Sequence, residues 1–471
     1  MAEESKKTQV AIMGAGPGGY AAAFRAADLG LDVTLIDPRE NPGGVCLYQG
    51  CIPTKTLLHF TDVMDETQHA KEWGLQFDKL SVDLDKLRKF KERVVNKLTR
   101  GLGSLAKNRK VKYLRATARF KDENTLELTD TDGNSSLLQF EKAIIATGAR
   151  SRPLPGVDFD GDRIMSSRHA LEMKELPEKL LVVGAGYIGL EMGVIYHTLK
   201  SKVTIVEATA DIMPGMDRDL ADVFRKERKD LLKGIRFNTK VTEAKVEDDK
   251  VKVSMENKDG EKEEDSFDAM LVAIGQVPNT EDLGLDNIDI KTNDNGFIDV
   301  NVVRQTGKKH IYAIGDITGE PLLAHKASHE GRVAAEHIAG EKTAYEPQTI
   351  PSIVYVGLAW TGLTETQAKE QGREVKVTRF PWAASGRAVS QGKKNGLTKL
   401  IFDPDTERLL GAGFAGNGAD VLVAEATLAI EMGAVAKDLE LTVHPHPTLS
   451  ETIMEAAEMF HGQATHAMKQ K

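Results

Sequence analysis

Only two cysteines, Cys46 and Cys51, occur among the 471 residues. Two thiols cannot build the disulfide framework of a secreted protein. Long hydrophobic runs are also missing: no stretch of about 18 apolar residues suggests a membrane-spanning helix. The opening MAEESKKTQV lacks the apolar segment of a signal peptide, so a cytoplasmic location is expected, or the mitochondrial matrix if a transit peptide has been removed. Positive charge is in deficit, with 62 Lys and Arg against 71 Asp and Glu and a formal net charge of −9. That balance argues against nucleic acid or an anionic membrane as the main partner. Biased tracts are absent. What remains, with 41% hydrophobic residues and 42 glycines, is a globular chain too long for one core, for which three or four domains are expected.

Residues 8–14, TQVAIMG, read as a short buried strand running into Gly14-Ala-Gly16-Pro-Gly-Gly19. An Ala-rich helix is expected from Pro17 to Leu29, stopped by Gly30, and then a strand from Asp32 to Ile36 that ends at Asp37. This is the full context of a dinucleotide-binding unit: Gly14 for the tight turn, Gly16 for backbone approach to a pyrophosphate, Gly19 for helix–strand packing, and Asp37 for ribose hydroxyls. The arrangement recurs as LLVVG, Gly184-Ala-Gly186-Tyr187-Ile188-Gly189, a helix to Lys200 and a strand from Lys202 to Val206 ending at Glu207. Both units place the acid 23 positions after the first glycine. Two dinucleotides in one chain point to electron transfer between them. Glu207 would repel a 2′-phosphate, and the Ala-Thr-Ala-Asp that follows offers no arginine, so NAD is favoured over NADP.

AIIATGAR (143–150) and MLVAIGQVPN (270–279) are apolar strands ending in similar small-residue turns, each closing a nucleotide unit. HIYAIGDITG (310–319) places Asp316 after another apolar strand, and Leu322-Leu-Ala-His325 opens an Ala-rich helix. That helix N-terminus suits negative charge, and Asp316 suits polyol hydroxyls; a turn aspartate and a core helix are the plain alternatives. The stretch 245–266 reads as a solvated hairpin and AKNRKVK (106–112) as a surface feature, neither carrying chemistry.

The two cysteines lie five positions apart in GGVCLYQGCIPTK. In a reducing compartment a close pair is more often catalytic than structural. With only His59 nearby, they make poor zinc ligands, and no metal site is expected. Fully extended, the intervening span would cover about 17 Å, against the roughly 5.5–6 Å between Cα atoms of a disulfide. Winding it as helix shortens the rise to about 7.5 Å, so a distorted first turn can close a reducible bridge. Pro53 is tolerated in such a first turn. There a Cys51 thiolate gains from the helix N-terminus. Two buried small hydrophobes are the bland alternative.

GGxCxxxGCxPxK after an N-terminal dinucleotide fingerprint resembles the pyridine nucleotide–disulfide oxidoreductases of the glutathione reductase type, and the resemblance runs over the whole chain in order. It implies an α/β protein with two Rossmann-like dinucleotide-binding domains: an FAD domain (1–150) with the redox disulfide and an NAD domain (151–277). A central domain (278–346) would complete the FAD site, and an α+β interface domain (347–471) would form a homodimer. It implies one tightly bound FAD per subunit and NAD+/NADH as co-substrate. The activity implied is oxidation of protein-bound dihydrolipoamide to lipoamide with reduction of NAD+. Its partners would be the lipoyl domains and acyltransferase core of 2-oxo acid dehydrogenase complexes, or the lipoyl carrier of the glycine cleavage system. Cys46 resembles the thiol that exchanges with substrate and Cys51 the thiol lying against the flavin. Lys55 matches the family lysine near flavin N5, with Glu191 of GLEMG as its partner. The FAD site would draw on Gly14, Gly16, Gly19, Asp37, Lys55, Ala118, Gly148, Asp316 and Ala324. The NAD site would draw on Gly184, Gly186, Tyr187, Ile188, Gly189, Glu207, Val241 and Gly275. In LTVHPHPTLSETIMEAAEMF the motif HPTxxE makes His446 the base and Glu451 its orienting carboxylate, completing the partner subunit's site. From spacing alone, Thr448-Leu-Ser-Glu451 is also a capping box.

Several residues depart from the family pattern. Pro445 gives two consecutive His-Pro bonds, either of which can be cis, and Tyr48-Gln49 stands between the cysteines. Ala116-x-Ala118-x-Phe120 replaces a Gly-x-Gly-x-Phe pattern, and IPSIVYVGLAWTGLTE lacks a Thr-x-Pro-Glu after the tyrosine and is two residues shorter. The nearest rival is a glutathione-type reductase, disfavoured by Glu207. Relatives that need a second cysteine pair near the C-terminus are excluded by HGQATHAMKQK. A flavin-bearing scaffold or NADH sensor without turnover would have no use for Cys46, Cys51 and His446.

Overall fold

A computed structural model describes residues 6–77 and 80–468. The chain begins with β1 (Lys6–Met13), α1 (Pro17–Asp28) and β2 (Val33–Ile36). Two helices follow across Gly50, α2 (Gly44–Gln49) and α3 (Cys51–His69), and then α4 (Leu84–Asn108). The strands β3 (Lys112–Leu114), β4 (Ala116–Asp122), β5 (Thr125–Asp130), β6 (Ser135–Ile145) and β7 (Ala149–Ser151) complete this part. The second unit contains β8 (Ile164–Met165), α5 (Ser167–Glu172), β9 (Lys179–Val183), α6 (Tyr187–Thr198) and β10 (Lys202–Val206). It continues with α7 (Arg218–Glu227), α8 (Lys229–Leu232) and β11 (Ile235–Arg236). Next come β12 (Thr239–Glu247), β13 (Lys250–Asn257), β14 (Lys262–Phe267), β15 (Ala269–Val272) and β16 (Gln276–Pro278). After β17 (Ile311–Ala313) and α9 (Ala324–Ile338) the C-terminal part runs β18 (Ser352–Val354), β19 (Leu358–Gly362), α10 (Glu365–Glu370) and β20 (Lys376–Pro381). It ends with α11 (Gly386–Ser390), β21 (Leu397–Phe402), β22 (Leu409–Ala415), α12 (Ala419–Glu431), α13 (Ala436–Leu441) and α14 (Glu451–His461).

In the first sheet β3, β2, β1 and β6 are parallel neighbours, and β17 joins the C-terminal end of β6. The second sheet has the order β11-β10-β9-β15-β8, also parallel. The two are built alike because both carry the same run: a strand with a buried apolar C-terminal half, a glycine turn, a helix and an acid-terminated strand. Gly14 N–H donates to Ile36 O and Gly184 N–H to Val206 O, each at 2.8 Å. The similar turns of the two units pair with each other: β7 and β16 form a two-stranded antiparallel sheet linking Ala149 to Pro278 and Arg150 to Val277.

The stretch 245–266 is more than a hairpin. β12, β13 and β14 form a three-stranded antiparallel sheet whose inward face, Val251, Val253 and Met255, packs on the second unit. The valine alternation that looked merely solvated is a half-buried strand pattern. Residues 106–112 do lie at the surface apart from Ala106 and Val111.

The C-terminal sheet, β18-β19-β22-β21-β20, is antiparallel. One face packs on α12 and α14, while the other takes Leu220 of α7 against Gly413. One core runs through all three parts, joining Leu57 and Leu58 of α3, Leu190 and Val194 of α6, and Val354, Leu358 and Ala415 of the C-terminal sheet. Burial of that shared apolar surface is what brings α3, α6 and the β18–β19 turn together. Among the described residues no helix is long and apolar enough to cross a membrane.

Candidate active site

The two glycine turns present similar chemistry. Ala15 N–H donates to Asp37 Oδ2 at 3.0 Å, and Ala185 N–H donates to Glu207 Oε2 at 2.7 Å. A Cβ at Gly19 would lie 1.9 Å from Gly14 O, and one at Gly189 would lie 1.9 Å from Gly184 O, so these helix–strand contacts require glycine. Gly16 and Gly186 differ. A Cβ at Gly186 would meet nothing within 4 Å, and one at Gly16 would meet only Gly44 Cα at 4.0 Å. Neither α1 nor α6 has a side-chain cap, so their first amides face open space at the positive end of a helix, which fits the pyrophosphate of a dinucleotide at each turn. Tyr187 and Ile188 open α6, and Tyr187 Oη accepts a bond from Gln276 Nε2 at 3.3 Å, next to Gly275. Gly148 stands at the corresponding position ahead of β7. Ala118 lies on β4 opposite Leu128, and Val241 lies on β12 opposite Met255, beside a bulge.

The cysteines lie directly beneath the first turn. Gly43 N–H donates to Ala15 O at 2.8 Å, and Gly44 touches Gly16 so closely that a Cβ there would come within 2.4 Å of its Cα. Cys51 is the first residue of α3, as Pro53 anticipates. Cys46 and Cys51 lie together as free thiols, and the hydrogen bond between them is the largest influence on the acidity of each. That bond splits their acidities. The Cys46 thiol donates and is held well above the ordinary thiol range, with burial adding to the effect. Cys51 accepts and is lowered to about 7, helped by the nearby Lys55 ammonium against the opposing effect of burial. Tyr20, in the first turn of α1, faces both sulfurs and is pushed up to about 12 by burial and by their negative charge. Tyr48 and Gln49, on the α2 face between the cysteines, bind the Asp37 loop through Asn41 and Arg39.

Lys55 sits one turn further along α3. Its Nζ lies 2.8 Å and 3.1 Å from the two carboxylate oxygens of Glu191. Glu191 is 2% exposed and is the only carboxylate on α6, a helix buried on nearly every side; the pair satisfies an acid that an apolar face alone would not tolerate. A third member was not legible in the sequence. Tyr355 N–H donates to Glu191 Oε1 at 2.9 Å, and the Tyr355 ring lies 4.6 Å from Lys55 Nζ. It arrives from the β18–β19 turn, and no local pattern marks it.

Asp316 follows β17 with burial raising its carboxyl, which Lys326 partly opposes. Ala324 opens α9, whose fully buried Glu330 accepts from Gly315 N–H at 2.6 Å and pairs with Arg304 at 2.8 Å and Lys326 at 3.2 Å. Lys326 also donates to Gly315 O and Gly319 O. These charges hold the Asp316 loop in place. The Lys326–Glu330 spacing of four on one helix was its sole sequence trace.

At the far end, His446 Nδ1 and Glu451 Oε1 are 2.8 Å apart, and the other oxygen, Oε2, accepts from Thr448 N–H at 2.7 Å. The dyad and the box-like bond therefore coexist on one carboxylate. The helix itself starts later than the box implied: α14 begins at Glu451 with Ser450 as its N-cap. The His446–Pro447 bond is cis and His444–Pro445 is trans. His444 is held separately, by Glu425 at 2.7 Å and Thr442 O at 2.8 Å. The His446 side chain is 74% exposed, and among the described residues no hydrogen bond joins it to either cysteine. Nearby Val421, Leu428, Met432, Leu441 and Val443 expose a run of apolar surface.

Comparison with known proteins places this arrangement. The profile described as pyridine nucleotide-disulphide oxidoreductase matches residues 8–331, and that of the corresponding dimerisation domain matches residues 350–457. A dihydrolipoyl dehydrogenase of Haemophilus influenzae is 47% identical over 461 residues, covering 98% of this chain and 96% of that one. A dihydrolipoyl dehydrogenase of Thermus scotoductus is 45% identical over 468 residues, covering 98% and 99%. Among solved structures, LpdA from Mycobacterium tuberculosis superposes with a TM-score of 0.89 at 26% identity, covering 96% of this chain and 99% of that one. The flavoprotein disulfide reductase RclA from Escherichia coli gives 0.85 at 28%, with the same coverage.

Proposed function

Because the chain belongs to the pyridine nucleotide-disulphide oxidoreductase family, we propose that it oxidises protein-bound dihydrolipoamide to lipoamide and reduces NAD+. One observation carries the reading: the paired cysteines Cys46 and Cys51 are packed against the first glycine turn and flanked by the Lys55–Glu191 pair. We assign the chain four domains, at 1–150, 151–277, 278–346 and 347–471. The Gly14–Gly19 turn with Asp37 and Asp316 would hold FAD, and the Gly184–Gly189 turn with Glu207 would hold NAD+. When bound, FAD supplies a two-electron acceptor that passes hydride to NAD+.

The chain's own residues handle sulfur and protons. In the disulfide state a substrate thiol gives its proton to His446, and the resulting thiolate attacks Cys46 Sγ. The Cys46–Cys51 bond breaks as the mixed disulfide forms, and Cys51 leaves as a thiolate stabilised by the N-terminus of α3 and by Lys55. The second substrate sulfur then displaces Cys46 and its proton passes to the leaving Cys46 sulfur, so that lipoamide departs with one proton left on His446, one on Cys46, and Cys51 as the thiolate. Glu451 fixes the orientation and tautomer of His446 through Nδ1. Because His446 is exposed and unconnected to the cysteines of its own chain, it serves a second copy. The apolar run around Val421 and Leu428 and the matched dimerisation domain support a homodimer with two shared sites. The lipoyl domains and acyltransferase core of a 2-oxo acid dehydrogenase complex, or the glycine cleavage lipoyl carrier, would present the substrate, in the cytoplasm.

The test is anaerobic addition of dihydrolipoamide to the yellow protein, followed by NAD+. A long-wavelength thiolate–flavin band that fades as NADH appears is expected. An unchanged oxidised spectrum in protein that holds FAD overturns the assignment.

A further inference from the structure

Tyr355 occupies a three-residue turn that is firmly held. Val354 pairs with Leu358, and Gly357 O accepts from Gly416 N–H at 2.8 Å, tying the turn to the end of β22. The shortening of this segment, unexplained in the sequence, leaves a compact turn at the dithiol site. Two parts of Tyr355 then meet the two halves of one ion pair: its N–H reaches Glu191 Oε1 at 2.9 Å and its ring lies 4.6 Å from Lys55 Nζ. We propose that Tyr355 is a positioning residue of the dithiol site, its ring fixing the Lys55 ammonium while its backbone fixes Glu191.

The physical argument is as follows. A tyrosine face attracts an ammonium within about 6 Å, whereas lysine on its four-carbon stem otherwise wanders and is strongly hydrated. Glu191 restrains Lys55 from the α6 side and the ring restrains it from the C-terminal sheet. The positive charge therefore stays where it favours the Cys51 thiolate. The other groups facing Cys51 are Cys46 from α2, Tyr20 from α1, and Tyr187 and Glu191 from α6. None of these is cationic, so beside the hydrogen bond from Cys46 it is Lys55 that supplies the positive charge favouring the Cys51 thiolate. The inference rests on the dithiol–flavin reading above.

The test follows the long-wavelength thiolate–flavin absorbance of dihydrolipoamide-reduced holoenzyme against pH. Tyr355→Phe keeps the ring face and is expected to overlay the wild type. Tyr355→Leu keeps the backbone bond but loses the face, and its thiolate midpoint is expected to rise by about half a pH unit, roughly threefold in the dissociation constant. Tyr355→Met is the second ring-less variant should the leucine protein not retain FAD. In a Lys55→Gln background the leucine change is expected to add nothing, because its effect travels through Lys55. A normal wild-type band with no shift in the ring-less variants, or a shift that persists without Lys55, overturns the role of Tyr355 and leaves the dithiol reading standing. A wild type that holds FAD but develops no band overturns both.

Discussion

Lys399 Nζ lies 2.8 Å from Asp217 Oδ2, and both side chains are almost wholly buried, at 1% and 6% exposure. The pair joins β21 of the C-terminal sheet to the residue that immediately precedes α7 in the second nucleotide unit. Asp219 and Glu365 also reach Lys399, at 3.0 Å and 2.6 Å, and Asp217 accepts from the N–H groups of Glu365 and Thr366 at the start of α10.

Lys399→Met leaves these carboxylates without their shared cation. A stability loss of about 3–5 kcal/mol is expected, measured by chemical denaturation. A variant as stable as the wild type would show that Arg379, which also bonds to Asp219, compensates. Burial raises the Asp219 carboxyl, but Lys399 and Arg379 outweigh it and hold it below the ordinary range. The sign follows: a carboxyl lowered in the folded state stabilises above its unfolded pKa of about 3.9 and loses that contribution as pH falls through the folded value. Acid unfolding of wild type should therefore show a contribution below about pH 4 that Lys399→Met lacks.

Cys51 is expected to titrate near 7 in the reduced protein, and its largest cause is the hydrogen bond from Cys46. Cys46→Ala removes the donor, so the Cys51 midpoint should climb toward the ordinary thiol value of about 8.5. Iodoacetamide alkylation against pH reads this directly. An unmoved midpoint would transfer the acidity to Lys55 and the helix N-terminus.

Gly186→Ala and Gly189→Ala should part company. A Cβ at Gly186 meets nothing, so folding is unchanged while KM for NAD+ rises by roughly tenfold, equivalent to about 1.4 kcal/mol. A Cβ at Gly189 collides with Gly184 O, and the overpacked turn should cost about 1–3 kcal/mol of stability. Thermal melts and steady-state kinetics separate the two, and equal KM values would argue against a pyrophosphate at Gly186.

His446→Gln is expected to lower dihydrolipoamide oxidation by about 10²–10⁴-fold, the usual worth of a general base, while NADH reduction of an artificial acceptor persists. Mixing subunits that carry Cys46→Ser with subunits that carry His446→Gln should restore part of the lost activity, because each mixed dimer holds one intact site. Persistent inactivity after verified exchange would mean that His446 does not serve the partner's cysteines.

Much of this was legible in the sequence because its signals are local. The glycine turns, their helices and the acids at Asp37 and Glu207 fall within single short stretches whose backbone needs are fixed by residue type. His446 and Glu451 are five positions apart, and the carboxylate makes both bonds that this spacing suggested, one oxygen to the imidazole and one to Thr448 N–H, although α14 starts later than a capping box places it. Lys55 and Glu191 are 136 positions apart, and only family resemblance linked them. Tyr355 had no such guide: the shared core brings it to α3 and α6, and nothing in IPSIVYVG records that contact. The third strand beside 245–257 was missed because charge on its outer face masked the valines of its neighbour.

The acids at the ends of β2 and β10 are both engaged by backbone amides of their own turns. Asp37 Oδ1 accepts from Arg39 N–H while its Oδ2 holds Ala15 N–H, and Glu207 Oε1 accepts from Thr209 N–H while its Oε2 holds Ala185 N–H. Each carboxylate still has lone pairs to spare, so under the proposed function an arriving ribose would meet an acceptor that is already immobilised. The entropy of freezing that side chain is spent during folding rather than at binding, and the free energy of ribose capture is left for the nucleotide itself.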